Sequence, residues 1–248
     1  MGPVTDGPQV SAEHHGDHKH RDVNGGWLRP AVFGAMDGLV SNFALIAGMD
    51  GGTQSGSKFV VLAGLAGLAA GAFSMAAGEY TSVASQRELA RAEIEVERLE
   101  IARHPIDEEI ELAETYRAKG LDPDLADKVA KQFHTNPEQA LDEHVREELG
   151  IDPNDLPNPV VAAGSSFVCF AVGAFIPLLP YLLGATSVVP ALIMSLTALF
   201  AAGAVVSRVT SRSWWYSGLR QLLLGGLAAA LTYFVGSLVG SLVGPGIG

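Results

Sequence analysis

The stretch PVVAAGSSFVCFAVGAFIPLLPYLLGATSVVPALIMSLTALFAAGAVVS, residues 159–207, decides the fold, because its 49 residues include no Asp, Glu, Lys or Arg. One bilayer crossing takes about 20 residues, at ~1.5 Å rise across a hydrocarbon core of ~30 Å. The stretch therefore holds two crossings, at about 160–183 and 188–207, joined by GATS at 184–187. A water-soluble fold is excluded. Downstream, the basic link RVTSRSWWYSGLR, residues 208–220, leads to a further apolar span at 221–243, and no acidic residue follows Asp155. Upstream, PAVFGAMDGLVSNFALIAGM, from Pro30 to Met49, carries Asp37 alone, and Phe59 to Ala84 carries Glu79 alone. The intervening DGGTQSGS is a turn-rich link between antiparallel neighbours. The expected fold is an all-α membrane protein with five transmembrane helices: spans 1 and 2 within 27–86, and spans 3 to 5 within 160–248.

Between spans 2 and 3 lies a different kind of sequence. Residues 87–150 hold 18 Asp and Glu against 9 Lys and Arg, so most of the chain's net charge of −11 sits in this insert. Such a balance repels nucleic acid, whose phosphates attract Lys and Arg, and suits a cationic ligand. SQRELARAEIEVERLEIARH continues the second span into water as an amphipathic helix that Pro105 stops. Three shorter helices are expected at 107–119, 123–133 and 137–149, with Pro at or near their starts and Gly after two of their ends. DPNDLPNP, residues 152–159, is the linker that closes a helical domain at 87–151.

Residues 1–26 read as a disordered tail carrying His14, His15, His18 and His20, with no apolar core of a signal peptide. The lone Cys169, inside an apolar run, offers neither a disulfide nor a Cys-based zinc site. Arg21, Arg29, Arg87, Arg91, Arg208, Arg212 and Arg220 flank one side of the five spans, and Lys58 stands on the other. The positive-inside rule then puts the N-terminus and the acidic insert in the cytosol and the C-terminus outside.

Asp37, near the middle of the first span, is costly in lipid unless it meets water, a cation or a partner. Ser41 and Asn42 add oxygens beside it, and Gly34 and Gly38 permit close helix approach. Met75 and Glu79 are four residues apart on the second span and share a face; a thioether beside a carboxylate suits a borderline divalent metal. In the insert, Glu93, Glu97, Glu100 and His104 form one helical stripe, Glu108 and Glu111 a pair, and Glu148 sits one turn from His144. Like charges at such spacing repel, so the pattern reads as ligands converging on divalent cations, Fe²⁺, Mn²⁺ or Zn²⁺. Carboxylates must be ionised to bind, and ordinary ones titrate near ~4. A membrane-tethered ferroxidase or iron store is the alternative. It would need Glu-x-x-His pairs, but the residues three before His104, His134 and His144 are Ile101, Lys131 and Leu141.

In order and content, MDGLVSNFALIAGM, AAGAFSMAAGEY, the long Glu-rich extension, NPEQALDEHVREELG and the three apolar spans that follow resemble the vacuolar iron transporter family over roughly residues 27–243. The resemblance implies a homodimeric divalent-iron transporter, not an enzyme, that exchanges metal for protons and captures it in a cytosolic helical domain. It gives Asp37 and Met75 the metal pathway, and Glu97, Glu100, Glu108, Glu111 and Glu148 the cytosolic ligands. Two positions depart from the eukaryotic pattern: Gly67 stands where that pattern has a second-span Glu, for which Glu79 is the candidate replacement, and His144 stands where it has Met. The chain is thus read as a bacterial-type member, expected in the cytoplasmic membrane.

Overall fold

The computed structural model describes residues 26–52, 56–210 and 212–243, and every regular element among them is helical. The helices are α1 (Leu28–Gly52), α2 (Gly56–Arg103), α3 (Pro105–Ala118), α4 (Pro123–Phe133), α5 (Pro137–His144), α6 (Pro159–Leu182), α7 (Val189–Thr210) and α8 (Trp214–Val243), with one π-helical turn, Val145–Leu149, prolonging α5. Five of them, α1, α2, α6, α7 and α8, are long and apolar enough to cross a membrane. The expected histidine tail and the middle of the first link lie outside the described residues.

Short polar motifs set several helix starts. Asp122, Asn136 and Asn158 each precede a proline and accept backbone N–H bonds from the first turn, from Asp124, from Glu138, and from Val160 and Val161 respectively. The proline needs no partner for its missing N–H at that position, so the pair fixes the start of α4, α5 and α6. Pro105 acts likewise: it ends α2, leaves His104 at the bend, and opens α3 two residues earlier than expected. The fifth crossing also begins early, at Trp214 instead of 221. Trp214 and Trp215 both meet Phe200 of α7 edge to face, at centroid distances of 6.1 and 5.5 Å, so the aromatic part of the expected link is already helical. Aromatic rings at a span's end suit the membrane interface.

In lipid the helices gain little from hiding apolar side chains, so close backbone contact decides the packing. α1 is central. Gly34 and Gly38 form a small-xxx-small pair against Ser166, Phe170 and Ala174 of α6, and a Cβ on Gly34 would lie 2.6 Å from the Ser166 carbonyl. On its other end, Gly48 and Gly52 meet Gly236 and Gly240 of α8 in the same manner. Around these seams lie Leu39, Phe43, Ala47, Leu199 and Ala229 on one side, and Ile46, Val60, Leu178, Tyr181 and Ala191 on the other. Large apolar side chains such as Leu62, Phe73, Val168, Val172, Leu223, Leu227 and Phe234 point outward, which suits lipid and would be unfavourable in water.

α2 runs unbroken for 48 residues, its second half leaving the other spans behind. There Ile94 and Ile101 pack on Ala140, Leu141 and Val145 of α5 and its π turn, while Leu112 and Ala113 of α3 pack on Ala130 of α4, with Tyr116 stacked on Phe133. Arg98 of α2 bonds Glu138 of α5 at 3.1 Å, and the Tyr116 hydroxyl donates to Glu143. The second half of α2 thus packs with α3, α4, α5 and the π turn as a helical unit with cores of its own.

Candidate metal centre and membrane cavity

The helical unit brings four of the expected ligands together. Glu97 comes from α2, Glu108 from the first turn of α3, His144 from the end of α5, and Glu148 from the π turn. His144 Nδ1 lies 2.8 Å from Glu148 Oε1, 3.1 Å from Glu97 Oε1 and 3.8 Å from Glu108 Oε2. One ligand atom from each of Glu97, Glu108 and His144 falls within 4.8 Å of the others, and all three residues are buried. Donors bound at about 2.0–2.2 Å in a tetrahedral site stand roughly 3.4 Å apart, so a small contraction would close this group on a metal. An α-helix was expected through Leu149; the wider turn observed there accompanies the His144–Glu148 hydrogen bond, and π turns favour such sites.

Glu97 Oε1 is buried without a hydrogen-bond partner, its approach to His144 being an ion-pair contact and not an aligned bond. A carboxylate oxygen left in that state is costly until a cation or proton meets it. The electrostatics agree: burial first, then the Glu148 carboxylate, pushes the Glu97 carboxyl up to about 7, with Glu108 and Glu100 adding to the rise and His144 opposing it. Burial and Glu111 likewise raise Glu108 above its ordinary value.

Glu100 and Glu111 stand close enough to act on these two carboxylates but are themselves exposed. Glu93 and His104 are not drawn in. Glu93 is exposed on α2, and His104 turns toward Asp107, 3.9 Å away, at the α2–α3 bend. One neighbour was not foreseen: His134, at the end of α4, places Nε2 3.1 Å from Nε2 of His144. Burial and the His144 ring hold its imidazole below the ordinary range, against Glu109. Nothing in the spacing of the two histidines along the chain signals this contact, since it arises from the packing of two helices.

Among the spans, Asp37, Met75 and Glu79 line one cavity of roughly 470 Å³ between α1 and α2, together with Ser41, Asn42, Gly67, Ser74 and Phe170. Asn42 donates to the Ala174 carbonyl at 2.5 Å, which leaves its buried Oδ1 without a partner. A Cβ built on Gly67 would lie 3.1 Å from that oxygen and 2.5 Å from Leu45 Cδ2. Any side chain at position 67 would therefore displace Leu45 or fill this part of the cavity.

Comparison with known proteins agrees with the arrangement. The VIT family model matches residues 28–237. Vacuolar iron transporter 1 of Arabidopsis thaliana is 32% identical over 234 residues, which cover 93% of this chain and 92% of that protein. A vacuolar iron transporter of Acanthamoeba castellanii is 37% identical over 230 residues, covering 89% and 82%, and vacuolar iron transporter 1 of Oryza sativa is 30% identical over 244 residues, covering 94% and 96%. These relatives are named as transporters and not as enzymes. With the match running from the first membrane helix almost to the end of the last, this membrane protein belongs to the VIT family.

Proposed function

We propose that the protein is a secondary transporter that moves a divalent transition metal, Fe²⁺ foremost with Mn²⁺ and Zn²⁺ as alternatives, out of the cytosol in exchange for protons. The observation that carries this reading is the cavity between α1 and α2, where two carboxylates and a thioether meet within the apolar part of the molecule. Ionisable groups at membrane depth face water, a cation or a partner and not lipid. Asp37 is exposed on the single chain, which supports a homodimer whose second copy closes the cavity. The relatives' names favour iron.

In this reading residues 87–151 are a cytosolic capture domain, with Glu97, Glu108, His144 and Glu148 holding the metal and the carboxylates of Glu100, Glu111 and Glu93 adding attraction. The arginines at one end of the spans support a cytosolic insert, and the proposed location is a bacterial cytoplasmic membrane. Moving a divalent cation outward against an inside-negative potential costs about 4.6 kcal/mol per ~100 mV, from ~2.3 per charge. The sequence has no GxxxxGK[ST] phosphate loop, and a proton gradient can supply the drive. The test uses sealed liposomes holding a metal-quenched dye or a pH dye, presented with Fe²⁺, Mn²⁺ and Zn²⁺ in turn. Metal movement with opposing proton movement is expected; no movement of any of the three would overturn the reading.

A further inference from the structure

His144 is fully buried and meets a polar group at each ring nitrogen. The three carboxylates stand at Nδ1, whereas at Nε2 stands the Nε2 atom of His134, 3.1 Å away on a different helix. The two rings cross edge to face at 75°, with centroids 5.3 Å apart, so this is a nitrogen-to-nitrogen contact and not a stack.

One ring nitrogen cannot hold a proton and a cation together. A cation among the carboxylates takes the Nδ1 lone pair, which leaves the proton of the neutral ring on Nε2. A buried N–H needs an acceptor, and the polar atom in reach is Nε2 of His134. We propose that His134 is a positioning residue for the metal centre: its Nε2 accepts the Nε2–H of His144 and holds that ring in the tautomer that aims Nδ1 at the cation. His134 is itself seated at the end of α4, where its backbone N–H bonds the Ala130 carbonyl at 3.0 Å. The ligand on α5 is thus braced from a second helix. This inference rests on the metal-capture reading, and its test separates the two.

Full-length protein in lipid nanodiscs is titrated with Zn²⁺ and Co²⁺ against a chromophoric chelator, comparing wild type with Glu97→Gln, His134→Phe and His134→Gln. Metal-ligating histidines that lose such an acceptor typically lose 10–100-fold in affinity, so His134→Phe should bind Zn²⁺ at least about tenfold more weakly. His134→Gln, whose amide oxygen can accept from nearly the same place, should stay within about threefold of wild type. Its Co²⁺ ligand-field spectrum should match wild type, because His134 is not a ligand. In wild type with Zn²⁺ bound, ¹⁵N-histidine NMR should find the His144 proton on Nε2, a readout that needs no variant to fold. Unchanged binding in Glu97→Gln would overturn the metal-capture reading itself. Weakened binding in Glu97→Gln beside wild-type binding in His134→Phe would overturn the positioning role alone. So would an altered Co²⁺ spectrum in His134→Gln, or a His144 proton on Nδ1.

Discussion

Glu97 carries a charge that its surroundings resist. A carboxyl whose folded-state value, about 7, exceeds its ordinary 4.5 stabilises the metal-free fold below pH 4.5, and that contribution is lost as pH rises through about 7. A bound cation has the opposite preference, because it requires the carboxylate. Metal binding at pH 6 should therefore release a proton from Glu97, and affinity should be about tenfold higher at pH 8 than at pH 6 where only that proton is displaced. Calorimetry in buffers of different ionisation enthalpy measures the release, and Glu97→Gln should abolish that component. The composition of the insert implied a loss of affinity near ~4, the value of an ordinary carboxyl. Burial and neighbouring carboxylates, which arise only in the folded unit, move the expected loss to near neutrality. Asp37 is the corresponding residue among the spans. Asp37→Asn keeps the side-chain shape and removes the charge that replaces hydration, so metal flux into dye-loaded liposomes should fall to background while the protein elutes as wild type in size-exclusion chromatography.

At the level of helices, the seam between α1 and α6 depends on side chains that are absent. A Cβ on Gly38 would stand 3.0 Å from the Ala174 backbone nitrogen and press on the Phe170 carbonyl. Gly38→Val should cost about 1–3 kcal/mol through overpacking and lower the melting temperature in detergent. Gly164→Ala on α6 meets nothing within 4 Å and should leave stability unchanged or raise it by up to about 1 kcal/mol. The spans were legible in the sequence because lipid forbids charge, and the starts of α4 and α5 because proline fits the first turn of a helix. The start of α8 was not. Trp214, Trp215 and Arg220 resemble a link in composition, and only their packing on Phe200 and their place at the interface make them helix. The stripe of Glu93, Glu97, Glu100 and His104 was legible as a periodicity, but which of its members is covered depends on where α3 and α5 lie. Of the four, only Glu97 is buried. The π turn has no compositional mark, and His134 is coupled to His144 purely through tertiary packing.

Across the molecule, the candidate metal centre and the membrane cavity are connected in sequence but separated in space. Glu97 is 18 residues beyond Glu79 on α2, about 27 Å along the axis at ~1.5 Å per residue. The two sites should therefore be separable by mutation. Replacing Glu79 by Gln should weaken the dependence of flux on an imposed pH gradient and leave metal binding by the insert within about twofold, since residues more than ~10 Å apart that share no contact partner usually contribute additively. Liposome flux at clamped voltage, with and without a pH difference, measures the first effect, and chelator competition measures the second. Equal flux in wild type with and without the gradient would remove the antiport reading and leave a passive path.

The unbroken α2 also has a mechanical consequence. One helix forms a wall of the cavity at one end and carries Glu97 of the candidate metal centre on the other, with α5 packed against it through Ile94, Ile101 and Leu141. If it pivots near Glu79, a tilt of only ~5° sweeps Glu97 through about 2 Å, given the ~27 Å arm set by the helical rise. A small tilt of α2 would thus carry the candidate metal centre, with α5 packed on the same helix, through a larger displacement relative to the spans.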